Sequence, residues 1–209
     1  MKKSMCITYV VEKNLYVNIT NKCSNSCDFC IRNNGDGAYG SDSLWLEREP
    51  TVDEILDSVF SYDLTKYGEV VFCGYGEPSY RLDDAVIVAK EIKKRAPKTK
   101  IRINTNGQSD LILKRKTAKE YQGAFDSVSI SLNAPTADGY DKICHSRFGA
   151  KAFLAILDFA KEVSEFVPNV AFSVVREFLD EKDLAACADI AASCGIALNV
   201  RTYIPPKSE

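Results

Sequence analysis

Cys23, Cys27 and Cys30 stand in the run Thr-Asn-Lys-Cys-Ser-Asn-Ser-Cys-Asp-Phe-Cys, a C-x3-C-x2-C spacing. Thiolates are the usual protein ligands of iron–sulfur clusters, and soft sulfur donors select zinc or iron–sulfur over harder ions. Three thiolates on one loop can hold three irons of a [4Fe–4S] cluster and leave the fourth open to a small molecule. The alternative is a zinc knuckle. Structural zinc takes four closed ligands, commonly as two paired half-sites. The chain has a single histidine, His145, far from the loop, and no second Cys-x2-Cys.

Two further runs have chemical potential. Residues 69–78 read Glu-Val-Val-Phe-Cys-Gly-Tyr-Gly-Glu-Pro. A strand ending at Cys73 would be followed by glycines that let the backbone approach a ligand closely. Residues 103–107, Ile-Asn-Thr-Asn-Gly, end another strand. Their neutral amides and hydroxyl suit ribose hydroxyls or a carboxylate. Taken alone, the first run reads better as a plain glycine turn before a helix, and the second equally as a turn at a strand end. The basic run Lys90, Lys93, Lys94, Arg95, Lys98, Lys100 and Arg102 reads as a solvated helix face rather than a phosphate site. Cys73 and Cys144 read as buried small residues, and Cys187 and Cys194 as neighbours on one helix face. His145 has no motif partner, and no catalytic acid or base stands out.

The elements that must position these residues alternate. From residue 14 the pattern predicts strands at Leu15–Thr20, Val70–Cys73, Lys100–Thr105, Ser127–Asn133, Val170–Val175 and Ile196–Tyr203. Helices are expected between them. Thr51 and Glu54 form a capping box before Ile55, Leu56, Val59 and Phe60 at helical spacing. Leu82–Arg95, residues 109–122 and about 150–166 read as helical, and Asp180 caps a helix that Gly195 stops. A loop with Pro135, Gly139 and His145 precedes the fourth helix, and Pro205 and Pro206 end the last strand. Such alternation implies right-handed βαβ units and a parallel sheet.

Within the strands, one face is polar. Tyr16, Asn18 and Thr20, then Arg102, Asn104 and Asn106, then Ser127, Ser129, Ser131 and Asn133, then Asn199, Arg201 and Tyr203, each share a side. A parallel sheet covered on both faces should read as continuous apolar runs instead. A polar inner face fits a curved sheet that encloses a polar ligand.

The cysteine run closely resembles the signature of the radical SAM superfamily. That resemblance implies an α/β fold, a partial (β/α)6 barrel of parallel strands, as one domain over residues 1–209 with its barrel core at about 14–203. It implies a [4Fe–4S] cluster on Cys23, Cys27 and Cys30, with S-adenosylmethionine on the open iron. Reductive cleavage would give methionine and a 5′-deoxyadenosyl radical, which removes hydrogen from a substrate. Phe29 would lie near the adenine. Gly74, Gly76, Glu77 and Pro78 resemble the family's Gly-Gly-Glu-Pro motif at the methionine amino group, with Tyr75 inserted between the glycines. Asn104 and Asn106 resemble a Thr-Asn-Gly element, and Ser129, Ser131, Ser173 and Arg201 occupy positions for ribose and carboxylate contacts.

Within the superfamily, the Cys-Gly-Tyr-Gly-Glu-Pro run and short length resemble the small TatD-associated group. The architecture also resembles queuine-splitting lyases. This implies a small-molecule substrate, queuine, cut so that 7-aminomethyl-7-deazaguanine is released. Asn18, Arg32, Asn133, Arg176 and Tyr203, by position at strand ends, are candidates to line its pocket. An electron donor such as flavodoxin or ferredoxin would reduce the cluster. Two other readings stay open: a relative that modifies peptides or activates a partner by making a glycyl radical, and a non-enzymatic iron–sulfur or zinc sensor. The sensor leaves the Gly-Glu-Pro run and the polar strand face unexplained.

Composition agrees with a cytoplasmic protein. The 209 residues are 45% hydrophobic and 27% charged, with a formal net charge of −2. That balance favours neither nucleic acid nor an anionic membrane. No apolar leader follows Lys2 and Lys3, no stretch reaches the length of a membrane span, and eight cysteines without a secretion signal are expected to be reduced thiols.

Overall fold

Side-chain alternation sorts the strands onto one sheet whose neighbours follow chain order. The computed structural model describes residues 2–205. Its strands are β1 (Thr8–Val11), β2 (Asn14–Val17), β3 (Glu69–Phe72), β4 (Lys100–Thr105), β5 (Ser127–Ser131), β6 (Asn169–Val175) and β7 (Ala197–Arg201). From β2 to β7 every pairing is parallel. The expected set of parallel strands is therefore present. β1 is an addition to it, pairing antiparallel with β2 through a tight hairpin at Glu12 and Lys13. Glu12 there has φ 53°, the left-handed conformation such turns demand.

The helices are α1 (Val52–Phe60), α2 (Leu82–Arg95), α3 (Ser109–Leu113), α4 (Ala137–Cys144), α5 (Lys151–Ser164) and α6 (Glu181–Ser193). Thr51 and Glu54 make the predicted capping box, and Asp180 caps α6 through Asp183 N. Two expectations are corrected. The helix predicted over 109–122 stops at Leu113, because Lys114 turns left-handed and Asp110 Oδ1 accepts from both the Thr117 N–H (2.9 Å) and hydroxyl (2.7 Å). The stretch expected as a loop around Gly139 is α4, whose N-cap Thr136 accepts from Gly139 N at 3.0 Å. Pro206 lies outside the described residues.

Outward-facing Leu15, Val17, Val70, Phe72, Ile101, Ile103, Val128, Ile130, Phe172 and Val174 are buried against Ile55, Val59, Ala85, Val88, Ile92, Ile156, Phe159 and Ala160 of the helices, in one continuous core. Each fully buried large side chain contributes about 1.5–3 kcal/mol, so this outer face holds the sheet in place. The register then stacks the inner face. Tyr16, Val71, Arg102 and Ser127 form one tier, and Ser131, Ser173 and Asn199 another. β1–β2 and β7 line common space through Tyr16 and Arg201, so the sheet curls around a lumen.

Candidate functional site

The cysteine loop leaves β2 and folds across the ends of the parallel strands. Much of its fixation is backbone. Ser26 N donates to Cys144 O (3.0 Å) and Asp28 N to Ile143 O (3.1 Å), docking the loop on the last carbonyls of α4. Arg147 N returns a bond to Ser24 O at 2.8 Å, and Glu77 N donates to Lys22 O at 2.8 Å. Gly76 is packed against the same backbone: a Cβ there would sit 2.2 Å from Thr20 O and 2.8 Å from Lys22 O. The two runs that sequence reading separates by forty-odd residues are thus one contact surface.

Beneath the loop lies a buried polar network that sequence reading missed. Glu77 Oε1 accepts from Thr105 Oγ1 (2.7 Å) and Ser79 N (3.0 Å), and Oε2 from Asn106 N (2.7 Å). Asn106 Nδ2 donates to Ser24 Oγ at 2.7 Å. Gln108 is fully buried and central. Its Oε1 accepts from Ser24 (2.9 Å) and Ser146 (3.0 Å), and its Nε2 donates to Asn25 Oδ1 (3.0 Å) and the Tyr140 hydroxyl (2.8 Å). Asn25 Nδ2 also donates to Tyr140, at 2.8 Å. Gln108 directly follows the Thr-Asn-Gly run, but only the fold shows that Tyr140 and Ser146 join it.

Burial governs the titrating groups. It pushes the Cys23 thiol up to about 12, with the Glu77 carboxylate adding to the effect. Cys27 is raised too, first by a hydrogen bond with the Cys144 thiol and then by burial. Burial also raises Glu77, outweighing its three donors. Cys23 Sγ accepts from Asn25 N at 3.4 Å, and Cys30 Sγ from Arg32 Nε at 3.3 Å.

The chemistry of this donor set fits a cluster. Three free, half-buried thiols share one loop. Among the described residues no three His, Cys, Asp or Glu side chains converge as a single-ion site requires. A cubane asks for no such convergence, since its thiolates bind separate irons. Gly74 fits a close ligand approach: it lines the lumen, and a Cβ would collide with the Asn18 side chain at 2.1 Å.

The lumen opens as a cavity of about 220 Å³. It is lined by Phe29, Gly74, Asn104, Ser131, Asn133, Ser173, Arg201 and Tyr203, all expected at the site, by Tyr16, expected on the inner face, and by Tyr9, Tyr39 and Cys73, which were not expected. Below it a more open cavity of about 990 Å³ shares Tyr16, Tyr39 and Arg201, and adds Arg102 and Ser129. Arg201 Nη2 donates to Ser129 Oγ at 2.7 Å. Phe29 meets Phe178 edge-on at 5.1 Å, and Phe178 meets Tyr203 at 5.5 Å, so one aromatic wall spans from the cysteine loop to the end of β7.

Several expected contacts go elsewhere. Asn18 is buried under the 38–46 loop, donating to Leu44 O (2.8 Å) and Cys6 O (3.3 Å). Arg176 turns to Leu179 O (2.9 Å) and Glu181, at the start of α6. Arg32 reaches Cys30 and Asn25 O rather than the lumen. These three are corrected as lumen-lining residues, because strand-end position does not fix side-chain direction. Gly76, Glu77, Pro78 and Asn106 lie behind the lumen wall. Glu77 braces β4 against the glycine loop with both oxygens, Pro78 opens the buried turn Pro78–Arg81, and Asn106 holds Ser24.

Comparison with known proteins gives the family and the fold. Residues 17–189 match the family model described as "Radical SAM superfamily". The molybdenum cofactor biosynthesis protein 1 of Drosophila melanogaster is 27% identical over 191 residues, covering 91% of this chain and 32% of its own length. A probable GTP 3′,8-cyclase of Methanocaldococcus jannaschii is 26% identical over 198 residues, covering 94% of this chain and 61% of its own. The chain thus spans a third to three-fifths of these relatives. Among solved structures, a radical SAM methyltransferase from Sphaerobacter thermophilus superposes with a TM-score of 0.66 at 16% identity, over 97% of this chain and 60% of that one. Streptococcus suis SuiB bound to S-adenosylmethionine gives 0.63 at 17%, over 92% and 41%. At such identities the superpositions establish the fold. No helix among the described residues is long and apolar enough to cross a membrane.

Proposed function

Because the chain belongs to the radical SAM superfamily, we propose that it is a lyase for a small guanine-like heterocycle, with queuine as substrate and 7-aminomethyl-7-deazaguanine as product. The family's cofactors are a [4Fe–4S] cluster and S-adenosylmethionine, and membership sets aside the zinc-knuckle and sensor readings. Bound together and given one electron by an external donor, the two cofactors would supply a 5′-deoxyadenosyl radical that can take hydrogen from unactivated carbon.

The protein's own residues do the rest. Cys23, Cys27 and Cys30 would hold the cluster, and the polar network under their loop fixes its position before any ligand arrives. Gly74, Phe29, Asn104, Ser131, Ser173 and Arg201, which line the lumen, would receive S-adenosylmethionine. Glu77, engaged by three donors, acts on that cofactor through the loop it braces. The aromatic wall of Phe29, Phe178 and Tyr203 would help shield the site of hydrogen transfer from water.

The lumen lining carries the substrate reading. Tyr9, Tyr16, Tyr39 and Tyr203 line it with aromatic rings of the kind a flat bicycle packs on, and Asn133 with the serines brings neutral donors and acceptors that suit its edge. Arg201 is the one charged side chain of that lining among the described residues. A triphosphate would call for several cations. A GTP-type substrate is the second reading, favoured by the names of the relatives. Both substrates share a guanine-like ring and differ in charge.

The test is anaerobic loading with iron and sulfide, then reduction with S-adenosylmethionine and either queuine or GTP, followed by mass spectrometry. A rise in 5′-deoxyadenosine with queuine, together with the aminomethyl-deazaguanine, supports the lyase. A rise with GTP alone transfers the assignment to the nucleotide. Formation of 5′-deoxyadenosine without change in either compound refutes both substrates and leaves the family chemistry standing.

A further inference from the structure

We propose that Arg32 raises the reduction potential of the cluster by placing its guanidinium on the Cys30 sulfur. Arg32 follows Cys30 by two residues in the short helical turn Ile31–Asn34. Its Nε donates to Cys30 Sγ at 3.3 Å and its Nη2 to Asn25 O at 3.2 Å. The guanidinium carbon lies over the Trp45 ring, 5.8 Å from its centroid. Among the described residues Arg32 makes no ion pair with a carboxylate. Its charge is therefore directed at sulfur.

The other two ligand sulfurs take no hydrogen bond from a charged group among the described residues and feel Arg32 through its charge alone. Cys23 Sγ accepts from the neutral Asn25 N–H, and Cys27 contacts the neutral Cys144 thiol. Reduction adds one negative charge to a cluster already bearing thiolates. A fixed cation stabilises the reduced form more than the oxidised one, and hydrogen bonds to the ligand sulfurs act in the same direction. Half-burial limits screening by salt, and a guanidinium keeps its charge at every working pH. The arrangement would ease electron entry from a weak donor, whichever substrate is cut.

The experiment is an EPR-monitored redox titration of the anaerobically loaded full chain, without S-adenosylmethionine or substrate. Arg32→Gln removes the charge and keeps a donor; Arg32→Met removes both while still packing on Trp45. Each is expected to lower the equilibrium constant for cluster reduction about tenfold, which for one electron is about 59 mV. Arg32→Lys, which restores the charge, should recover part of the shift. Loaded Gln and Met variants whose reduction constants stay within about twofold of the parent overturn the proposal. So does failure of both to take up iron, which would assign Arg32 to holding the loop.

Discussion

Glu77→Gln tests whether the glycine loop, β4 and the cysteine loop are one mechanical unit. In the parent, three donors converge on the carboxylate: the Asn106 and Ser79 N–H groups and the Thr105 hydroxyl. An amide has one oxygen and one NH2. In either orientation, the NH2 must face a backbone N–H, because the two backbone donors approach different oxygens. Thr105 can turn its second lone pair to the amide, the first accepting from Gly107 N at 3.1 Å, but a backbone N–H has no such freedom. A buried donor left unsatisfied costs about 1–3 kcal/mol. Relief of the burial that penalises the charge offsets part of that, so the net loss should be about 2 kcal/mol. Glu77→Ala orphans all three donors and should cost about 4 kcal/mol, near the upper end for single substitutions.

Urea unfolding of the iron-free chain measures both, as a lower midpoint at unchanged slope. The effect should also carry a pH signature. Burial raises the Glu77 carboxyl, so the native state keeps that proton to higher pH than the unfolded chain. Its contribution to stability therefore falls as pH rises from the unfolded value of about 4.3 to the raised one, and is flat above it. The Gln variant lacks this slope. A Gln variant within about 0.5 kcal/mol of the parent, with the same pH profile, would refute the bracing role.

Gly76→Ala should destabilise the iron-free chain by about 3 kcal/mol, because the Cβ meets the Thr20 and Lys22 backbone rather than a side chain that can swing away. It should also cut iron uptake, measured per chain after loading; full uptake would count against the contact. Gln108→Leu removes the acceptor shared by Ser24 and Ser146 and the donor to Tyr140. It should expose Cys23 to faster alkylation in the native protein, and an unchanged rate would dismiss the network as an organiser of the loop. Asp126 is disfavoured as an anion by burial, yet Lys93 and the Ile101 N–H hold it below its ordinary value. Its contribution is complete above the unfolded value of about 3.9 and lost as pH falls through the depressed one. Asp126→Asn should therefore make acid unfolding less steep, and an equally steep curve would contradict the pairing.

The barrel was legible because two periods coexist in the chain. Alternation in 100–105 and helical spacing in 82–95 place those elements at their observed ends, while the strand expected over 127–133 begins at the observed residue and overruns its end at Ser131 by two. β1 escaped because an antiparallel edge hairpin is no part of the βαβ pattern, although the Tyr-Val-Val run has strong strand preference. α4 escaped because Pro135 and Gly139 read as turn residues, while the Thr136 cap and the burial of Tyr140 overrode them. At the site, spacing identified the thiols. It could not show where Arg32, Asn18 and Arg176 point, since rotamers answer to neighbours brought in by the fold. Gln108 and Tyr140 have no motif at all; their role exists only once residues far apart in sequence meet.

That meeting has a consequence for biogenesis. Sheet neighbours follow chain order, so a strand emerging during synthesis finds its partner already made. The cysteines emerge early, but the carbonyls that dock their loop are those of Ile143 and Cys144, and Arg147 supplies the return bond. Until α4 has appeared, the nascent loop has thiols but no seat. A chain stalled before α4 would carry the three thiols without the carbonyls and the Arg147 N–H that fix their loop.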